Sequence, residues 1–150
     1  MKRMNALCAC LLLAPVLALA HGKATGIVKE RMDLMVEIGD AMKILRAELL
    51  FTDTPDVART GQAARAVEDR AGGVMVRLFP EGSTMHSEAL PSIWAEPERF
   101  AASADDLRTH AAALSKAAEM SAGAATLREH FDAVNDTCKA CHDDFRLEKK

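Results

Sequence analysis

The stretch AATLREHFDAVNDTCKACHDDFR, residues 124–146, sets Leu127, Phe131, Val134, Cys138, Cys141 and Phe145 at intervals of four, three, four, three and four. Positions three and four apart share one face of an α-helix, whereas a half-buried strand would alternate every second residue. The spacing therefore predicts a helix from about Ala124 to Arg146 whose inner stripe carries two thiols. His142, four residues after Cys138, joins that face.

Within this helix, Cys138-Lys139-Ala140-Cys141-His142 is the C-x-x-C-H signature of c-type haem attachment. Two thiols add to the two vinyl groups of one porphyrin while the adjacent imidazole reaches the iron. This chemistry requires both anchors and the proximal ligand on one face. A thioredoxin-like C-x-x-C would follow a strand and open a helix, but this one lies inside a helical pattern with no strand-like run nearby. A structural zinc site would need further ligands, usually a second clustered pair, and the sequence shows none. One covalent haem c is the cofactor expected.

Three more segments carry the helical period. The first runs from about Thr25 to Phe51, with Val28, Met35, Met42 and Leu49 seven apart and Ile38 and Leu45 interleaved. The second starts near Thr54-Pro55, a suitable N-cap and N1 pair, and is expected to bury Val57, Ala64, Val67, Ala71, Val74 and Leu78, with a kink at Gly72-Gly73. The third follows Pro97, with Phe100, Leu107 and Leu114 on one line and Ala104, Ala111 and Ala118 beside it. Four such segments predict an all-α, antiparallel up-down-up-down four-helix bundle around the haem. Pro80 to Glu96, containing the single tryptophan Trp94, reads as a long crossover loop. Trp94 there caps a core or touches the haem.

The N-terminus has the form of a secretory signal. Lys2 and Arg3 precede an apolar run from Leu7 to Leu19 that ends in Ala18-Leu19-Ala20. Cleavage after Ala20 would leave a domain of residues 21–150 starting at His21. The run is short for a membrane span. Cys8 and Cys10 lie before most of it, whereas a lipidation cysteine would follow it, so neither stable membrane insertion nor a lipid anchor is expected. Only Cys138 and Cys141 remain after cleavage. Removing 2 of the 19 basic residues and none of the 22 acidic ones gives a net charge of −5. No segment concentrates the basic residues that nucleic-acid binding requires.

The chain resembles the class II cytochromes c, the cytochrome c′ family. The resemblance rests on Arg31 through Lys43, Phe79-Pro80-Glu81-Gly82-Ser83, Pro91-Ser92-Ile93-Trp94, Phe100 and Cys138 through Arg146. It implies a four-helix bundle with haem attached near the C-terminus, and it sets Met35, four residues after Arg31, at the iron's sixth position. A methionine there resembles the six-coordinate low-spin members. The alternative is that Met35 fills the core, as methionines on a helical seam often do.

Arg31 falls on the seam with Ile38 and Leu45, where an uncompensated charge is costly, so a haem propionate is its natural partner; otherwise it snorkels at the bundle end. Arg146 matches a family position on the proximal side, and is equally placed to be a cation in a helix's last turn. A mature N-terminal His21 offers an amine and an imidazole to one copper ion. His86, His110 and His130 read as polar helix or loop residues.

Two functions follow. One is a periplasmic one-electron carrier with His142 and Met35 on the iron and redox proteins as partners. The other is a five-coordinate cytochrome c′ that binds nitric oxide or carbon monoxide. The sequence offers no acid-base set for an enzyme, and it leaves monomer and homodimer both open.

Overall fold

The computed structural model describes residues 24–148; the signal segment, its cleavage point and His21 lie outside them. Six helices follow in order: α1 (Gly26–Leu50), α2 (Val57–Glu68), α3 (Gly73–Val76), α4 (Ser92–Ala95), α5 (Pro97–Glu119) and α6 (Ala124–Phe145). The long helices α1, α2, α5 and α6 form the expected bundle, and α3 and α4 are single turns in the connection between α2 and α5. Among the described residues the only β-type pairing is an isolated bridge between Ala89 and Arg146, and no helix is long and apolar enough to cross a membrane.

The three-four stripes become the core. Leu45 and Leu49 of α1, Ala64 and Val67 of α2, Ala111 and Leu114 of α5, and Leu127, Phe131 and Val134 of α6 are almost wholly enclosed. Each large apolar side chain so buried contributes about 1.5–3 kcal/mol. Alanines on α2 and α5 bring those two helices close together, while α1 packs chiefly on α2 and only lightly on α6. A second, smaller cluster of Ile93, Phe100 and Phe145 sits near the end of α6, with Phe79, Trp94 and Cys141 against it. Its rings meet edge to face, Phe79–Phe100 at 4.9 Å and Phe100–Phe145 at 5.3 Å between centroids. Trp94 accordingly caps a core, its indole Nε1 donating to the Phe79 carbonyl at 3.0 Å.

The second helix departs from expectation at both ends. Its N-cap is Asp56, whose carboxylate accepts from the Arg59 amide at 3.0 Å, rather than Thr54. It also stops at Glu68 instead of kinking at the glycines. Gly72 adopts φ of +62°, donates its amide to the Ala104 carbonyl of α5 at 2.9 Å, and has Arg108 and Asp105 side-chain atoms only 3.0 Å from where a Cβ would stand. The backbone is drawn onto α5 in a conformation that an α-helix cannot contain. When the helix restarts as α3 its facing has shifted, so Met75 is buried, Val74 is exposed and Leu78 is only half-buried.

Candidate haem site

The last two turns of α6 carry both cysteines. Each is half-buried. Cys138 borders the main core and Cys141 the Ile93–Phe100–Phe145 cluster, so the C-x-x-C pair bridges the two apolar clusters. Burial raises the pKa of Cys138. Burial, then the neighbouring Cys138 and then Asp144, pushes Cys141 up to about 11. Both shifts have burial as their first cause, which disfavours the charged thiolate. His142 is exposed as a residue, yet the surrounding chain strips enough water from its ring to lower its pKa, and the Arg146 charge adds to this against Asp143 and Glu88. A neutral imidazole is what a metal ion requires.

Neither competing reading of the cysteines finds support. The pair sits inside a helix rather than after a strand, and among the described residues no group of three or more His, Cys, Asp or Glu side chains is arranged to hold a metal ion. The residues fit a c-type haem: two cysteines and one imidazole stand on one face of α6.

Met35 lies on α1, half-buried, packed against the same core that Cys138 borders from α6. On its side of α1, Leu34, Ile38 and Met42 are apolar and contribute to that core.

Arg31 is 3% exposed, and its partners come from the chain itself. Nη1 donates to Ser83 Oγ at 2.8 Å, Nη2 donates to the Ser83 carbonyl, and the guanidinium carbon stands 4.8 Å from the Phe79 ring centroid. A longer contact of 3.4 Å reaches the Leu78 carbonyl. Burial lowers its pKa, and no carboxylate contributes to the shift. Arg31 is thus no snorkelling residue. These neutral oxygens accept from both Nη atoms without cancelling the charge. Sequence reasoning misses Leu78 and Ser83 as its partners because they lie 47 and 52 residues away.

Arg146 ends α6 and pairs with Glu88. His110 makes a 2.8 Å hydrogen bond with Thr137 of α6, a structural role. Glu88 is the other contributor that sequence reasoning misses, since an acidic residue in a loop carries no periodic signal.

The profile of the family described as Cytochrome C′ matches residues 26–146. The chain is 31% identical over 128 residues to cytochrome c′ of Rhodopseudomonas palustris, covering 83% of this chain and 84% of that protein. It is 34% identical over 125 residues to cytochrome c-556 of Agrobacterium tumefaciens, covering 83% and 99%. In three dimensions it is similar to the solved cytochrome c′ of Rhodopseudomonas palustris, with a TM-score of 0.76 at 28% identity over 85% of this chain and 100% of that one. Bundle, attachment motif and relatives agree: the chain belongs to the cytochrome c′ family, whose members carry one covalently bound haem c.

Proposed function

We propose that the protein is an exported, periplasmic one-electron carrier, with haem held by Cys138 and Cys141, His142 as proximal iron ligand and Met35 as distal ligand. Bound haem supplies an iron that changes its charge by one electron, and a methionine ligand raises its potential. The chain's own work is to hold donors in place. Cys138, Cys141 and His142 are set by one rigid helix, and Met35 by another.

The position of Met35 carries this reading. Met75 is enclosed in the core at 3% exposure, whereas Met35 and Met42 of α1 are both half-buried. Met35 remains half-open at the margin of the core that Cys138 reaches from the other side. Arg31 fits as the partner of a haem propionate, because its present acceptors are neutral. Other redox proteins are its partners in this reading.

The test is the ferric spectrum. Coordination by Met35 gives a low-spin spectrum with a weak sulfur-to-iron band toward the red, and Met35→Ala turns it high-spin and open to carbon monoxide. A second reading has its own observation: Met35 touches the main core and so has packing to do without iron. A wild-type protein already high-spin would favour it, making the protein a five-coordinate binder of nitric oxide or carbon monoxide.

A further inference from the structure

The crossover segment ties down the end of the haem-bearing helix. Leu90 N donates to the Phe145 carbonyl at 2.9 Å, Leu147 N to the Glu88 carbonyl at 2.8 Å, and Ser92 Oγ to the Asp144 carbonyl at 2.9 Å. Two of these bonds satisfy carbonyls of the last helical turn that the helix itself leaves unpaired. Within this strap, one carboxylate oxygen of Glu88 accepts from both Nε (2.9 Å) and Nη2 (2.6 Å) of Arg146. Arg146 and His142 line one open groove of about 240 Å³ together with Asp143, Leu147 and Glu148.

We propose that Glu88 is a positioning residue for the proximal side of the haem: its carboxylate holds the Arg146 guanidinium as a neutral pair at the edge of the His142 groove, and so sets the reduction potential of the iron. This rests on the reading of His142 as the iron ligand. Ferric haem carries one more positive charge than ferrous haem. An unneutralised Arg146 beside the imidazole therefore disfavours the ferric state and raises the potential, while an unneutralised Glu88 does the reverse. The strap's backbone hydrogen bonds do not involve the carboxylate, so they remain when its charge is removed. Both side chains are partly exposed, 39% for Arg146 and 49% for Glu88, so salt weakens the effect.

The experiment is a redox titration of the purified holoprotein at low and high salt, with a thermal melt and visible spectrum of each variant. At low salt, Glu88→Gln should have a higher potential than wild type, Arg146→Gln a lower one, and the double variant a value close to wild type. Glu88→Asp should restore most of the wild-type value, and the Glu88→Gln shift should shrink as salt is added. A folded Glu88→Gln protein with an unchanged potential at low salt overturns the proposal, as does a shift that persists undiminished in the double variant. If Glu88→Gln fails to fold, Arg146→Gln decides, and an unchanged potential there overturns it equally. His142→Ala separates the two levels. An unaltered ligand-field spectrum in that variant removes the His142 reading, whereas an altered one with no Glu88 effect removes only the role of Glu88.

Discussion

The guanidinium of Arg31 donates to both oxygens of Ser83, the hydroxyl through Nη1 and the carbonyl through Nη2. A cation in the first helix is thereby tied to the crossover segment 52 residues later. Hydrogen bonds involving a charged group contribute about 1.5–3 kcal/mol each, more than neutral ones. Arg31→Ala should lower unfolding stability by roughly 2–4 kcal/mol, and Ser83→Ala, which removes only the hydroxyl acceptor, by about 1–2 kcal/mol. Urea unfolding of the ferric holoproteins measures both. Equal losses in the two variants would mean that the backbone carbonyl carries none of the interaction.

Thioether attachment makes a sharper demand. After acid extraction with organic solvent, haem should stay with the denatured wild-type chain and leave a Cys138→Ala/Cys141→Ala double variant. Each single variant should keep its haem through the remaining sulfur. Free extraction from wild type would contradict covalent attachment in this chain.

Gly72 tests the end of α2. At φ of +62°, and with Arg108 and Asp105 atoms 3.0 Å from a new Cβ, Gly72→Ala is strained by both backbone and space. Where glycine has a positive φ, alanine costs more than about 1 kcal/mol. Gly73, with only the end of the Arg77 side chain near a new Cβ, at 3.9 Å, is the control, and Gly73→Ala should stabilise by about 0.4–1 kcal/mol. Thermal melts of the pair would show opposite shifts. A stabilising Gly72→Ala would mean the chain relaxes there into continuous helix.

Export can be read directly from the N-terminus. Expressed with its own leader, the protein should appear in the periplasmic fraction with His21 as its first residue, because Ala18-Leu19-Ala20 sets small side chains where signal peptidase cleaves. A chain starting at Cys8 or Cys10 would be a membrane-anchored lipoprotein instead.

The long helices and the attachment motif were legible from sequence because their causes are local. The period of Phe100, Leu107 and Leu114 and of Leu127, Phe131 and Val134 is the period of the helix itself, and these side chains are buried as that period requires. The C-x-x-C-H spacing belongs to the geometry of one helical face and one porphyrin. Periodicity misplaces Val74 because a distant contact intervenes. The chain has already left the helical line at Gly72, and the valine that the period turns inward is exposed.

Tertiary structure decided what depends on residues remote in sequence. The end of α2 is set by the Gly72 amide reaching Ala104. The burial of Arg31 is made tolerable by Ser83 and Phe79, and the charge of Arg146 is balanced by Glu88 of the crossover segment. Periodicity records which face of a helix turns inward. It does not record which loop lies across that face, because a loop's place is set by hydrogen bonds and ion pairs that form only once the helices have packed.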